Sequence, residues 1–317
     1  MIKIYCMVDI IPLDITNLVK SVSNSGDSST FARALSITLA YPIWDTNQPR
    51  IDVKVGSKIW MILDGEEIFR GVVWTVDSSS EQELTIKAFD YLIYVNKSKV
   101  TYNFTNITPE DATRKVCSDL GIETGEIAST GTRTSRLIAQ KTGCEAILEM
   151  YDQVQANGFI LTMQGTKLNV IKKAQLVANY IVTINKNGIG NNAISVSYGE
   201  SLDSMVNKVQ IFDSDNNYHN KVENTEWQNK YGTLQDNYVM EDGKNPATEA
   251  QKLLKGIEHT WSVETLGNWE CRTGSLVGVK IFYMDEEMEA KLLIDGDTHT
   301  WDVGTNKYTM QLNLATC

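Results

Sequence analysis

Runs of alternating apolar and polar residues, broken at roughly eight to twelve positions by turn residues, constrain this chain most. Ile2, Ile4, Cys6 and Val8 alternate with polar neighbours. Leu35, Ile37, Leu39 and Tyr41 do the same, and Pro42 ends that run. Lys58–Leu63, a turn at Asp64-Gly65 and Ile68–Val76 read as a hairpin, with a polar loop at Ser78-Ser79-Ser80 before a strand over Glu83–Tyr91. A period of two puts one side of each strand into a core. Short strands so spaced suggest a small barrel or sandwich.

The character changes near Asn96. Thr108-Pro109-Glu110-Asp111 starts a helix: Thr108 caps, Pro109 suits the first turn, and two acids face the positive end of the dipole. Ala112, Val116 and Leu120 share a face, and Gly121 ends the helix. A second helix is predicted over Glu145–Asn157, followed by a hairpin of Phe159–Met163 and Lys167–Ile171. Strand patterns return at Ile181–Ile184, Ile194–Tyr198 and Val206–Phe212. Asn216–Asp236 lacks a period and reads as an extended loop, and Asn245-Pro246 opens a third helix. Gly267–Arg272, Lys280–Met284, Ala290–Ile294 and Tyr308–Leu314 are the closing strands.

The two β regions echo each other. Val55-Gly56-Ser57-Lys58-Ile59-Trp60 leads to an acidic turn, a strand reaching Trp74, and Thr85-Ile86-Lys87-Ala88. Val277-Gly278-Val279-Lys280-Ile281-Phe282 leads to Asp285-Glu286-Glu287, strands reaching Trp301, and Thr309-Met310-Gln311-Leu312. Duplication decides architecture. The expectation is a mainly β chain with an α+β insert: a tube-like barrel over 1–96, a small helix–hairpin domain over 97–175, and a second barrel over 176–317 carrying a helical and loop insertion.

Chemistry is thinly represented. His219, His259 and His299 share no ligand spacing, and Cys6, Cys117, Cys144, Cys271 and Cys317 never form Cys-x-x-Cys, so free thiols in a reducing compartment are expected. Asp213-Ser214-Asp215 lacks the glycine and distal glutamate of a calcium loop. Glu66-Glu67 and Glu286-Glu287 offer carboxylate pairs, but at turns where acids are simply well solvated. Neither a cofactor nor a metal is expected, and the chain reads as no enzyme. The net charge is −11, and residues 200–300 hold 19 Asp/Glu against nine Lys/Arg. Such acidity disfavours a nucleic-acid clamp, although a negative wall would let DNA pass without sticking. No apolar run is long enough for a membrane span.

Tryptophan and tyrosine in strands ordinarily fill a core, and they also anchor subunit contacts. Trp60, Phe69, Trp74, Phe282 and Trp301 are the candidate oligomer contacts.

Several segments in order carry a resemblance. Val55-Gly56-Ser57, Asp64-Gly65 and Phe69-Arg70-Gly71-Val72-Val73 resemble the Gly-hairpin-Phe-x-Gly-x-Val element of baseplate hub proteins. Tyr198-Gly199-Glu200-Ser201-Leu202-Asp203 with Val206-Asn207-Lys208-Val209 is similar to the element opening their second half. Tyr231-Gly232-Thr233-Leu234-Gln235, then His299-Thr300-Trp301 with Met310-Gln311-Leu312, follow in the same order. The family is that of hub proteins of PBSX-like prophages, tailocins and related contractile tails, akin to phage late-control D proteins. The resemblance implies a noncatalytic homotrimer whose two barrels per chain adapt a six-fold tail tube to a three-fold spike. It also implies tube, spike and LysM-type baseplate partners, assembly in the bacterial cytoplasm, and residence in the virion or tailocin particle. The competing readings are a tail-associated cell-wall hydrolase using acids near Glu66 or Glu286, and a carbohydrate-binding tail module.

Overall fold

The computed structural model describes residues 2–42, 44, 47, 50–241, 244–283 and 286–316, with the backbone alone at 175–179, 283 and 286. The acidic turn at Asp285 and Cys317 lie outside the described residues. The chain divides into two compact units, Met1–Val196 with Val263–Cys317, and Ser197–Ser262.

The first unit opens with β1 (Ile2–Val8), β2 (Ile11–Asp14), β3 (Val19–Asp27), β4 (Ala34–Ala40), β5 (Lys58–Leu63), β6 (Glu66–Ser79) and β7 (Glu83–Asp90). Next come α1 (Leu92–Lys97), β8 (Lys99–Ile107), α2 (Pro109–Asp119), β9 (Glu123–Ile127), β10 (Thr134–Thr142), α3 (Gly143–Asp152), β11 (Phe159–Gln164) and β12 (Lys167–Lys172). β13 (Gln175–Ile184) follows, and β14 (Ala193–Ser201) runs across the boundary at Val196. The second unit holds β15 (Lys208–Phe212), β16 (Tyr218–Glu223), α4 (Thr225–Tyr231), β17 (Gln235–Val239) and α5 (Pro246–Lys252). β18 (Glu258–Leu266), β19 (Ser275–Tyr283), β20 (Glu286–Asp302) and β21 (Lys307–Ala315) end the chain.

The chain is mainly β, and one 13-stranded sheet dominates the first unit. Its order contains the same series twice. β3-β4-β7-β6-β5-β1 is followed, strand for strand, by β14-β18-β21-β20-β19-β13, and β3 joins the two by pairing with β20. In each series a short strand turns into a long one that slips register midway, at Trp74 in β6 and at Asp295 in β20. The bulge lets one strand serve two partners, because the extra residue bends and twists it. The strands after Gly56 and Gly278 thus hold equivalent places. One difference remains: β1 runs antiparallel to β5, whereas β13 runs parallel to β19. Neither series closes on itself into a barrel among the described residues; the order ends at β2 on one side and at β14 and β13 on the other.

Alternation builds the core as expected. Leu35, Ile37 and Leu39 of β4 lie opposite Ala88, Ile86 and Leu84 of β7, and all six are buried. Ile4, Cys6, Ile59, Met61 and Val73 complete that core, and Trp301 of β20 enters it from the far end of the sequence. α1 to α3 with β8 to β12 form a second core around Ile138, Ile147, Met150 and Tyr151. Thr108 caps α2 by accepting from Asp111 N at 3.2 Å. α3 begins at Gly143, earlier than the apolar stripe predicts, because Thr142 and Glu145 form a capping box (3.3 and 2.8 Å). It ends at Asp152, where the side chain accepts from the backbone N–H of Asn157, a residue with positive φ.

Two expectations are corrected. Gly267–Arg272 forms no strand: Asn268 turns the chain by accepting from Glu270 N at 3.0 Å, and β18 supplies the neighbour of β21 instead. Asn216–Asp236 is no extended loop. It holds β16, α4 and the start of β17, with β15 pairing antiparallel to β16 and parallel to β17. Val209 and Ile211 of β15 and Ala250 of α5 give this second unit its own small core.

These placements predict unequal costs for similar truncations. Ile86→Ala, at a fully buried site, should cost about 2–5 kcal/mol in urea unfolding. Ile189→Ala, whose side chain is 73% exposed, should change stability by less than about 0.5 kcal/mol.

Candidate functional site

The polar residues of the first unit converge where β3 meets β20. Pairing sets Gly26 opposite Asp297, Asn24 opposite His299 and Val22 opposite Trp301. Arg33, in the segment leading into β4, reaches into this seam. Its guanidinium donates to Asn24 Oδ1 at 2.9 and 2.8 Å, and to Asp297 Oδ1 at 3.0 Å with a further short contact to Oδ2. Gly26 makes room for it: a Cβ there would stand 2.3 Å from Arg33 Nη1.

Asp297 is fully engaged. Besides Arg33, it accepts from Thr273 N at 2.7 Å and Thr273 Oγ1 at 2.6 Å, and His299 Nε2 lies 3.3 Å away. Burial alone would raise the carboxyl, but Arg33 and His299 overcome it and hold Asp297 well below the usual carboxylate range. His299 Nε2 also faces Cys271 O at 3.1 Å, while Nδ1 meets Tyr308 Oη at 2.8 Å. Both neighbours of Nε2 are acceptors, so that nitrogen carries a proton. Tyr308 stacks on Trp301 (4.5 Å, 14°), and Trp269 lies 5.3 Å from the guanidinium carbons of both Arg33 and Arg272.

Asp90, at the end of β7, is the second buried acid. Its oxygens accept from Arg33 N at 3.2 Å and Leu92 N at 3.1 Å. Burial outweighs those bonds and pushes its carboxyl up to about 7. A polar cleft of about 390 Å³ opens beside this cluster, with Arg33, Asp90, Trp269 and Arg272 on one side and Glu66, Glu67 and Arg70 on another.

Nothing here resembles an activated nucleophile. Burial pushes the Cys6 and Cys117 thiols up to about 11 and Cys271 up to about 12, and raises Cys144 further. Glu66 is exposed, Glu67 is paired with Arg70, and the side chain of Glu286 is outside the described set. Asp213 is spent on a local turn, accepting from Asp215 N at 2.9 Å and Asn217 N at 2.8 Å. His219 is exposed on β16.

The five candidate contact residues separate by burial. Phe69 and Trp301 lie in the core of the single chain. Trp60 is half-buried, stacked on Tyr5 at 5.5 Å with Arg70 at 5.2 Å from its ring. Trp74 stands on the β6 bulge, 36% exposed, edge-on to Phe89 and Tyr94. Phe282 is half-buried, with Lys186 Nζ 5.1 Å from its ring. Arg33, Asp90 and Asp297 were not legible as a set: pairing of β3 with β20 brings Arg33 to Asp297, and pairing of β4 with β7 brings it to Asp90.

The segments that carried the family resemblance meet structural demands. A Cβ at Gly71 would stand 2.1 Å from Phe89 O. Asn207, fully buried in the second unit, donates to Gly232 O at 2.7 Å and accepts from Leu234 N at 2.9 Å. The Asn-Lys-Val and Tyr-Gly-Thr-Leu segments are therefore bound to each other.

The fold coincides with two solved tail proteins. The tail protein from Neisseria meningitidis MC58 matches with a TM-score of 0.74 at 13% identity, over 99% of this chain and 96% of that one. The 43 kDa tail protein of prophage MuSo2 from Shewanella oneidensis matches with a TM-score of 0.74 at 16% identity, over 100% and 97%. In sequence, the phage-like element PBSX protein XkdQ of Bacillus subtilis (strain 168) is 24% identical over 309 residues, 94% of this chain and 92% of the relative. The fold is thus one that solved phage-tail proteins share. The chain belongs to the YQBQ-like family, whose pattern spans residues 22–315.

Two outcomes test the seam. Asp297→Ala leaves the Arg33 cation buried and unpaired, and should cost about 3–5 kcal/mol in denaturant unfolding. The Arg33→Met/Asp297→Leu pair should cost less than either single change. Asp90 fixes a pH dependence: its folded carboxyl binds a proton more tightly than the unfolded one, whose value is near 3.8. Stability from this group is therefore present below about 4 and lost as pH rises to about 7. Asp90→Asn should flatten that slope in unfolding curves across the window; an unchanged slope contradicts the assignment.

Proposed function

We propose that this chain is the hub subunit of a contractile-tail baseplate, forming a trimeric ring that adapts a six-fold tube to a three-fold spike. The observation that carries the reading is the doubled strand order of the large sheet. A ring of three such chains presents six similar strand series to a six-fold partner while keeping three equal subunits for a three-fold one. In this reading tube-like domains span 1–96 and 176–317, with a helix–hairpin domain over 97–175.

The open ends of the sheet support assembly through strand edges. β2, at one end, is short and carries Pro12, and it exposes Ile11 and Leu13 at 60% and 40% next to Ile10 at 88%. At the other ends, Ile181 of β13 and Ile194 of β14 are exposed at 57% and 50%. An unpaired edge beside exposed isoleucines is a hazard for a free chain, and pairing with a neighbour would satisfy both its backbone groups and its apolar surface. Trp60, Trp74 and Phe282 are the aromatic residues available to such contacts. Tube, spike and LysM-type baseplate proteins are the partners in this reading. The acidic stretch of residues 200–300 would line a passage that DNA crosses without binding. Assembly takes place in the bacterial cytoplasm, before the hub enters the virion or tailocin particle.

No helix among the described residues is long and apolar enough to cross a membrane. The chemistry of the buried seam favours a structural role over a hydrolytic one: its two buried carboxylates are consumed in fold-holding bonds, leaving no acid–base pair poised on a substrate. A purified chain should therefore leave peptidoglycan intact in a zymogram.

The test is mass measured at high protein concentration, with a cognate spike or tube protein present. Three hub copies per complex are expected; six in one ring would overturn the reading. Ile11→Lys with Leu13→Lys should shift the assembly toward monomer without lowering the thermal midpoint.

A further inference from the structure

We propose that the second unit carries a carbohydrate subsite, where one or two sugar rings lie against aromatic side chains. The pocket, about 350 Å³, is set wholly within residues 197–262. Trp227 and Tyr231, one turn apart on α4, form one wall with Glu226 and Lys230 beside them. His259 and Ile257 form another wall, and Met205 is buried beneath.

Two features show that the walls are held in place. Gly256 packs so closely on the indole of Trp227 that a Cβ would stand 3.3 Å from its ring. His259 belongs to a chain of hydrogen bonds: its Nδ1 is 2.6 Å from Tyr198 Oη, which is 2.6 Å from Glu200 Oε1. A carboxylate only accepts, so the tyrosine proton goes to Glu200 and Nδ1 must donate to Tyr198. His259 Nε2 takes no part in that chain. Tyr198 also stacks on His259 (13°) and lies 4.5 Å from Trp261, which locks the imidazole plane.

The chemistry selects the ligand. Lys230 feels both Glu226 and Glu200, so the site disfavours an anion, and with the ammonium already countered it suits a neutral molecule with hydroxyl groups. The aromatic planes ask for flat apolar faces, while the acid, the amine and the imidazole ask for donors and acceptors at the edge. A pyranose has both: C–H faces and a rim of hydroxyls. None of this depends on the ring proposed above, since the pocket lies in one chain.

The experiment is saturation-transfer NMR on the full chain, with trisaccharides of N-acetylglucosamine, glucose and galactose as probes at millimolar concentration. At least one should show saturable transfer accompanied by a change in tryptophan fluorescence. Trp227→Ala should weaken binding at least about tenfold. Because Trp227 also packs on Gly256, Lys230→Ala is the second variant; it leaves that contact intact, removes the ammonium that lies 5.0 Å from the Tyr231 ring, and should weaken binding at least about threefold, with the circular dichroism spectrum unchanged. No transfer from any of the three sugars would overturn the proposal. So would binding that survives both substitutions in folded protein.

Discussion

The bond between Arg33 and Asp297 is the constraint on which the large sheet depends. It is made between an N-terminal residue and a C-terminal strand, with the carboxylate fully buried and the guanidinium mostly so. A buried cation and a buried carboxylate each cost several kcal/mol to desolvate, and only mutual pairing with further hydrogen bonds offsets that. Asn24, Thr273 and His299 supply those bonds, and each is fixed by a different segment. Misregister of β3 against β20 would strand both charges at once. The pair therefore contributes register, joining two strand series that could otherwise slide, more than it contributes net stability.

The aromatic groups around the pair extend the same logic into the core. Trp301 alternates with His299 along β20, and both pack against Tyr308 of β21. Trp269 brings the 267–274 segment onto the guanidinium of Arg33. One polar seam thus organises four stretches of chain, and the bulge at Asp295 bends β20 beside it. A fold built this way commits its acids and its histidine to holding strands together. That is the physical ground for reading the seam as architecture.

Much of this was legible in the chain itself. Period-two alternation placed β1, β4, β5, β6 and β7, because one buried face per strand leaves a direct mark on residue type. The Thr108-Pro109 start of α2 and the Asn245-Pro246 start of α5 were equally plain, since capping is local chemistry. The echo around Gly56 and Gly278 falls on β5 and β19, which take equivalent places in the strand order. Asn224 was the missed local signal: its side chain accepts from Trp227 N at 3.1 Å and starts α4 inside a stretch that looked structureless.

Local alternation and capping, then, were determined by sequence alone, because the forces behind them act within a few residues. Partnership across the chain was decided only by tertiary structure. Nothing near Arg33 in sequence announces Asp297, and nothing near Asn207 announces Gly232. Burial of Phe69 and Trp301, as against exposure of Trp74, also depended on which face of a strand another strand came to cover. An aromatic residue has the same affinity for a core and for a subunit contact. Only the packing of distant segments removes one of the two from water.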